Sequence, residues 1–223
     1  MNSFTLEPTF HRYRFVVQPK RGFRFAVDSV ILGHAVRSID AFSVVELGAG
    51  SGIVALSMYS HGIGKQFWLV ENDSVMCEAL KMTIALNDLE HAFHVICDDI
   101  TLLGDLKDWA DVVIFNPPFY LKGQARGDKA LVGDPMLFLN VAFRIVSQHG
   151  VISYIIDSHM LNVMEKQEQR LGLSTVYIGH YYSKKGRGRV IKVLSKELIH
   201  VPFVEYVGIN SDRVKSFYYD GGV

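Results

Sequence analysis

The chain alternates short apolar runs with segments of helical periodicity, and this alternation restricts its fold more than any other feature. The runs are rich in β-branched and aromatic residues and lie at 43–47, 66–71, 92–97, 110–115 and 151–156. Strands buried on both faces of a sheet have this composition. Helical patterns lie at 29–36, 53–61, 74–87, 135–148 and 158–171, with a weaker one at 101–108. This order predicts right-handed crossovers and a mostly parallel α/β sheet flanked by helices.

The end of the chain follows a different pattern. Residues 173–182, a basic turn at 183–188 and residues 189–197 succeed one another without a helix, which predicts an antiparallel hairpin at one edge of a seven-stranded sheet. A chain of 223 residues, 49% of them hydrophobic, is expected to form one domain over 1–223. Within it, 1–40 would be an N-terminal basic segment and helix, and 41–200 the core.

Charge is balanced over the whole chain, with 23 basic and 23 acidic residues, but it is unevenly distributed. Residues 1–25 hold five basic side chains against one acidic, and residues 184–196 hold six against none. Such segregation could place positive potential where a polyanion binds, but short basic runs are common and taken alone are more typical of ordinary solvated loops. The two cysteines fit a reducing compartment, and no run is apolar enough for a signal peptide or a membrane span. We therefore expect a cytoplasmic protein.

Two aspartates are placed to begin helices. Asp28 precedes the pattern at 29–36 and is predicted to be its N-cap, accepting the backbone N–H bonds that a first turn leaves free. Asp134 precedes Pro135, whose fixed φ suits the first helical position, so a helix should begin there.

Acidic residues and glycines follow the first three apolar runs. Glycines stand at alternate positions in Glu46-Leu47-Gly48-Ala49-Gly50-Ser51-Gly52, Glu71 ends the second run, and Asp98-Asp99 follows the third. Glycine permits a sharp turn and close approach to a ligand, and a carboxylate at this place can accept bonds from ribose hydroxyls. Taken singly, these residues could equally form a plain turn or cap a helix. Together, at the carboxyl ends of predicted strands, they predict a cofactor site.

The fourth run leads into Asn116-Pro117-Pro118-Phe119. This resembles the signature of enzymes that methylate planar amide or aromatic amino nitrogens, which are poor nucleophiles because their lone pair is delocalised. The Asn116 side-chain oxygen and the Pro117 carbonyl could each accept one N–H, directing the nitrogen lone pair at a methyl group. Prolines stiffen the turn, and Phe119 would stack on the base. The base would have to be unpaired or flipped out. The alternative is a simple turn at the end of a strand.

Most of the chain resembles the bacterial valine-tRNA adenine-N6 methyltransferases. The resemblance is carried by residues 18–29, 46–52, Asp99-Ile100, and 116–120 with Gly123. It implies the Rossmann-like fold of class I methyltransferases, S-adenosylmethionine as cofactor, and methylation of adenine N6 in RNA, next to the anticodon of a tRNA. The glycine turn would face the methionine end of the cofactor, residues 1–40 would cover the site, and Asp99 would accept a bond from the cofactor adenine.

The resemblance also assigns roles to individual residues. The catalytic group would be Asn116, Pro117, Pro118 and Phe119. The cofactor would be bound by Gln18, Phe25, Asp28, Glu46, Gly48, Ala49, Gly50, Gly52, Glu71, Asp98, Asp99 and Asn116. The RNA would contact Arg21, Tyr120, Lys122, Lys184, Lys185, Arg187 and Arg189, and no metal is expected.

Several alternatives stay open. Phe119 stands where Tyr is commoner in adenine-N6 enzymes, and Asn-Pro-Pro-Phe also occurs in enzymes that methylate guanine N2 of ribosomal RNA. Protein glutamine methylation and a binding module without chemistry are further possibilities. Residues 120–134 could be a lid that orders on substrate or a passive connection. His91, His94 and Cys97 lack a fourth ligand at a standard metal spacing. The aromatic residues Tyr177, Tyr181, Tyr182 and Phe203 are more typical of strand packing than of RNA stacking.

Overall fold

A computed structural model of the protein describes residues 4–7, 15–20, 27–103, 106–117, 134–182 and 188–208, with residues 211 and 214. The strands are β1 (Phe4–Glu7), β2 (Val16–Pro19), β3 (Ser43–Leu47), β4 (Gln66–Val70), β5 (Phe93–Ile96), β6 (Ala110–Phe115), β7 (Val146–Asp157), β8 (Ser174–Tyr182), β9 (Gly188–Ser195) and β10 (Phe203–Gly208). The helices are α1 (Val27–His34), α2 (Ile53–Ser60), α3 (Ser74–Leu86), α4 (Pro135–Ile145) and α5 (Leu161–Arg170). Short 3₁₀ helices span Ile100–Leu102 and Ser158–Met160.

Within the described residues, eight strands form one sheet in the order β10-β8-β9-β7-β6-β3-β4-β5. The pairs from β7 to β5 are parallel, whereas β9 runs antiparallel to both β7 and β8. The predicted α/β class is confirmed, with one strand more than the seven expected. This strand, β10, pairs parallel with β8, so the antiparallel hairpin lies one strand inside the edge.

Helices cover both faces of the sheet because alternate residues of a buried strand point to opposite faces. Val44 of β3 packs in a core cluster with residues of α1, α2 and α3. Its neighbour Val45 packs in a second cluster with residues of α4 and α5. The central strands are therefore apolar along most of their length, as the sequence pattern predicts.

The helix starts agree with the sequence in one case and differ in the other. Asp134 accepts a hydrogen bond from the Met136 N–H at 3.0 Å, and Pro135 opens α4, as predicted. The N-cap predicted at Asp28 is wrong, because α1 begins at Val27 and Asp28 lies in its first turn. Its carboxylate accepts a hydrogen bond from Arg189 at 2.8 Å. A charge-assisted bond to a guanidinium is stronger than a bond to a backbone N–H.

Other differences lie at the boundaries of elements. The helix predicted to reach residue 148 ends at Ile145, and Val146 begins β7. The prediction extended too far because the apolar side chain of Val146 continues the helical spacing. The weak helical pattern at 101–108 contains only a 3₁₀ turn among its described residues. The short strands β1, β2 and β10 were not predicted from the sequence. The antiparallel ribbon of β1 and β2 packs on α3 through a hydrogen bond from the Val17 N–H to Thr83 Oγ1 at 2.9 Å.

A polar cluster lies inside the core beneath α5. Lys192 Nζ lies 2.5 Å from Glu168 Oε2, and the Tyr154 hydroxyl donates to Glu168 Oε1. All three side chains are almost completely buried. Burial and the neighbouring Glu168 charge raise the pKa of Tyr154 well above its ordinary value, so the phenol remains a donor. The three groups satisfy one another where water is excluded.

We predict that Lys192→Met lowers the free energy of unfolding by about 3–5 kcal/mol, because it leaves the Glu168 carboxylate buried without its cation. The measurement is equilibrium denaturation in urea. The matched control combines Lys192→Met with Glu168→Leu and Tyr154→Phe, which removes every polar member of the cluster and should recover most of the loss. A loss below about 1 kcal/mol for the single variant, the range of an exposed ion pair, would contradict the prediction.

Candidate functional site

The turn between β3 and α2 contains Gly48, Gly50 and Gly52, with φ of 68°, 54° and 74°. L-residues with side chains rarely adopt these angles. A Cβ at Gly48 would lie 3.1 Å from the Phe138 ring, and one at Gly52 would lie 2.6 Å from Leu80. These two glycines therefore also permit α4 and α3 to pack on the turn. At Gly50 the nearest atom would be 3.7 Å away, so this position has room around it.

Two carboxyl groups hold the turn. Glu71, which directly follows β4, accepts hydrogen bonds from the Gly50 N–H at 2.8 Å and the Asp73 N–H at 2.9 Å. Glu46 of β3 accepts from the Ala55 N–H in α2 at 3.0 Å. The turn is thus fixed to the end of β4 on one side and to its own strand on the other.

The Glu46 side chain is 3% exposed, and this burial dominates its electrostatics. Burial raises the pKa of Glu46 to about 8, the hydrogen bond from Ala55 opposes the rise, and the charge of Glu71 adds to it. The group is therefore largely protonated at neutral pH. A neutral Glu46 holds the turn without placing a second full charge beside Glu71.

The paired aspartates after β5 have different roles. Asp99 begins the 3₁₀ helix Ile100–Leu102 and accepts from the Thr101 N–H at 2.8 Å and its hydroxyl at 2.7 Å. These bonds from Thr101, with one from Asn72, hold the pKa of Asp99 below its ordinary value. Asp98 is exposed and accepts the Asp99 N–H at 2.8 Å. Asp99 is therefore an ionised and oriented acceptor, and Asp98 supports its backbone.

Asn116 directly follows β6, and Pro117 after it is buried. The Asn116 Nδ2 donates to the hydroxyl of Ser29 on α1 at 3.4 Å. An amide that donates through its nitrogen keeps its oxygen as an acceptor for another group. The role of Ser29 could not be predicted from the sequence, because a separation of 87 residues from Asn116 leaves no local signal.

An ion-pair bridge ties α1 to the sheet beside Asn116. The Arg189 guanidinium donates to Asp28 at 2.8 Å and to Asp157, the last residue of β7, at 2.6 Å. Burial alone would raise the pKa of Asp157, but hydrogen bonds from His159 and the Arg189 charge outweigh it and hold this pKa below its ordinary value. Asp157 was not identified from the sequence, and its place at the end of a predicted strand was the available signal.

The structure places most of the predicted cofactor residues at or next to one edge of the sheet. Leu47 pairs with both Val70 and Phe115, and Val70 pairs with Ile96, so the residues that follow these strands begin at the same level. The glycine turn, Glu71, Asp99 and Asn116 thus share this edge. Gln18 is buried on β2, within the ribbon that packs on α3. Outside the described residues lie Arg21, Phe25, Pro118, Phe119, Tyr120, Lys122, Lys184, Lys185 and Arg187, with all of the loop 120–134 except Asp134.

The histidines near β5 have other neighbours. His91 Nε2 lies 3.3 Å from the Tyr59 hydroxyl, and His94 Nε2 lies 2.9 Å from Gln66 Oε1. Among the described residues, no group of three or more His, Cys, Asp or Glu side chains could hold a metal ion. Within the same ranges, no helix has the length and apolarity needed to cross a membrane.

The sequence profile of the methyltransferase small domain matches residues 27–177, more than half of the chain. The chain therefore belongs to the methyltransferase small domain family. The predicted relationship to methyltransferases is confirmed by this membership. The matched range contains the glycine turn, Glu71, Asp99 and Asn116.

Two relatives carry the name tRNA1(Val) (adenine(37)-N6)-methyltransferase. The one from Flavobacterium johnsoniae is 28% identical over 152 residues, which are 63% of this chain and 64% of the relative. The one from Yersinia pestis, strain Pestoides F, is 23% identical over 159 residues, which are 66% of this chain and 63% of the relative. The chain matches less than two thirds of the length of these relatives.

Two solved structures share the fold. TYW2 from Pyrococcus horikoshii, in complex with MeSAdo, aligns with a TM-score of 0.66 at 15% identity over 88% of this chain and 73% of its own. TYW2 from M. jannaschii, in complex with AdoMet, aligns with a TM-score of 0.59 at 17% identity over 87% of this chain and 86% of its own. At these identities the likeness establishes the fold.

We predict that Glu46→Gln changes how stability depends on pH. The folded-state pKa of about 8 lies above the ordinary value of 4.5, so between these values the native protein holds a proton that the unfolded chain has lost. The contribution of Glu46 is therefore complete below about pH 4.5 and is lost as the pH rises through about 8. Within that window it should weaken by about 1.4 kcal/mol per pH unit.

The amide introduced by Glu46→Gln mimics the protonated carboxyl and does not titrate, so the variant should lack this part of the slope. The measurement is the free energy of unfolding of both proteins at half-unit steps from about pH 5 to 8.5, which covers most of the window between the two pKa values. The difference between the two curves isolates Glu46 from every other titrating group. Parallel curves would contradict the assignment.

Proposed function

We propose that the chain transfers a methyl group from S-adenosylmethionine to N6 of an adenine in RNA, in a tRNA of the kind named for its relatives. The observation that carries the proposal is the position of Asn116 and Pro117 directly beside the glycine turn, since β6 neighbours β3 in the sheet. The family membership and the names of the relatives support it. When bound, S-adenosylmethionine supplies an electrophilic methyl group on its sulfonium.

The residues at the sheet edge suit a ligand with a nucleoside and an amino-acid chain. The Glu71 carboxylate uses one lone pair of each oxygen for backbone N–H groups and keeps others for ribose hydroxyls. Asp99 offers an ionised acceptor for an amino group of adenine. We propose that Ala49 and Gly50 approach the ligand, where the turn has room. The remaining members of the turn, Glu46, Gly48 and Gly52, would act by shaping it.

The substrate amine needs positioning more than it needs a base. Asn116 Oδ1 and the Pro117 carbonyl are acceptors on consecutive residues, and each can take one N–H of the amine. Two such bonds favour a tetrahedral nitrogen whose lone pair points away from both acceptors. The amine proton becomes acidic only after methyl transfer, so no general base has to act before attack. The main contribution of this chain to the rate is to hold the nitrogen in line with the bond between the methyl group and the sulfonium.

The proposed RNA surface consists of the RNA contacts predicted from the sequence, without the residue that the ion-pair bridge already uses. Arg21, Tyr120, Lys122, Lys184, Lys185 and Arg187 remain the proposed RNA contacts. Arg189 already pairs with Asp28 and Asp157, so we assign it and Asp28 a positioning role. The bridge and the Ser29 contact tie α1 to the core. They support the proposal that residues 1–40 cover the site and 41–200 form the catalytic core of one domain.

The test of the function is a methyl-transfer assay with labelled S-adenosylmethionine, followed by digestion and nucleoside mass spectrometry. The probes are an unmodified transcript of valine tRNA and, separately, unmodified ribosomal RNA. We expect N6-methyladenosine from the tRNA. N2-methylguanosine from ribosomal RNA would identify the second candidate, which Phe119 favours, and would leave the role of Asn116 intact. Transfer to protein glutamine alone would overturn the RNA substrate.

We predict that Asn116→Ala lowers kcat about 100-fold or more, because it removes a preorganised polar contact at the reacting nitrogen. Affinity for S-adenosylmethionine, measured by calorimetry, should change by less than about threefold, since the turn and Glu71 are untouched. The matched control is Asn140→Ala, an identical change at an exposed site on α4, which should preserve kcat. An equal loss of cofactor affinity would show that Asn116 is structural.

A further inference from the structure

A row of aromatic rings lies on one face of the sheet where β8 and β10 pair. Tyr206 of β10 stands directly opposite His180 of β8, and their rings stack with centroids 4.8 Å apart and planes within 9°. Tyr182 lies two residues further along β8, and its ring is within 11° of the His180 plane at 6.4 Å. Successive side chains alternate between faces, so the three rings share one face. We call His180, Tyr182 and Tyr206 the aromatic row.

Two rings of the aromatic row are open to solvent, whereas two tyrosines on the opposite face are bonded within the protein. Tyr206 is 70% exposed and Tyr182 is 46% exposed. On the other face, Tyr181 is buried, and the Tyr177 hydroxyl bonds to both Tyr181 and Glu205. Edge strands of soluble proteins normally avoid exposed apolar surface. Large exposed rings at an edge therefore indicate a binding surface.

The aromatic row begins at the same edge of the sheet as the candidate site. β8 is parallel to β7 through β9, and Tyr182 ends β8 within one residue of the level where Asp157 ends β7. From Asn116 at the end of β6, the sheet runs through β7 and β9 to β8 and then β10. Three strand spacings separate β6 from β8, or about 14 Å. A polynucleotide bound at Asn116 can reach that distance along the edge.

The charge of the sequence that follows Tyr182 fits an RNA partner. Tyr182 pairs in register with Gly188, and the five residues between them are Ser-Lys-Lys-Gly-Arg, with three cations and no acid. Rings beside cations are the combination that binds single-stranded nucleic acid, because bases stack on the rings while phosphates pair with the cations. An acidic peptide would use the cations but would have no planar group for the rings.

We propose that the aromatic row is a stacking platform for an unpaired base of the RNA substrate, close in the chain to the methylated nucleotide. The inference rests on the proposed RNA substrate and adds a second contact to it. The platform would hold a neighbouring base while the target base is extruded towards Asn116. It would raise affinity and fix register, and would take no part in methyl transfer.

The test compares Tyr206→Val with Phe203→Val, a matched loss of an exposed ring from the opposite face of the same strand. With an unmodified transcript of valine tRNA, Tyr206→Val should raise Kd and KM about tenfold, the order expected for one lost base–ring contact. The value of kcat at saturating RNA should hold within about twofold. The slope of log Kd against log salt should be unchanged, because no phosphate contact is lost. Tyr206→Phe keeps the ring and should restore wild-type Kd.

A purely structural role for the rings predicts a different result. Tyr206→Val and Phe203→Val would then weaken binding equally, or Tyr206→Val would lower Tm and kcat together, and either outcome overturns the platform. Ultraviolet crosslinking of the wild-type protein to the same transcript needs no variant and covers the case of a misfolded one. Crosslinks in the peptide of Tyr182 or Tyr206 support the platform, and crosslinks confined to other peptides overturn it.

The outcome for the platform is separable from that for the proposed function. Methylated RNA from the wild type with unchanged KM for Tyr206→Val overturns the platform alone. The absence of both RNA methylation and RNA binding by the wild type overturns the proposed function, and the platform with it.

Discussion

The hydrogen bond from the Gly50 N–H to Glu71 joins the turn after β3 to the end of β4, and the rest of the site depends on this link. Because β3 lies between β4 and β6, the turn lies between Glu71 and Asn116. Three left-handed glycines would leave an unconstrained turn free to adopt many conformations. Glu46 also limits that freedom, because it accepts a hydrogen bond from the Ala55 N–H. A reaction that relies on positioning needs such a rigid support.

The fold and the edge that holds the site could be predicted because their signals are local. Buried parallel strands are largely apolar, and a helix between two strands makes each connection a crossover, so the parallel direction of the central strands follows from the sequence. The carboxyl ends of such strands meet at one edge whatever the details of packing. Residues just after the apolar runs, such as Glu71, Asp99 and Asn116, could therefore be assigned to one site before any contact was known.

The contacts that tie the site together could not be predicted, because their partners are far apart in the chain. Arg189 and Asp28 are separated by 161 residues. Judged only from the residues next to it in the sequence, Asp28 has the position of a helix cap. Arg189 has, on the same basis, the position of a basic RNA contact. The strand β10 is missed for a related reason, since half-exposed edge residues lack the continuous apolar pattern of a central strand. The ion pair between Lys192 and Glu168 could not be predicted either, because no periodic pattern in the sequence indicates that these two charged residues are buried.

For the proposed function, the bridge around Arg189 separates attraction of RNA from alignment of the reacting groups. Its guanidinium lies between two carboxylates, so the group as a whole carries more negative than positive charge. Such a group does not attract a polyanion, and the positive potential that RNA needs must arise elsewhere, with the cations at 184–187 the nearest in sequence. The bridge instead fixes α1, whose Ser29 orients the Asn116 amide. Affinity can then be tuned by surface cations without disturbing the geometry at the methylated nitrogen.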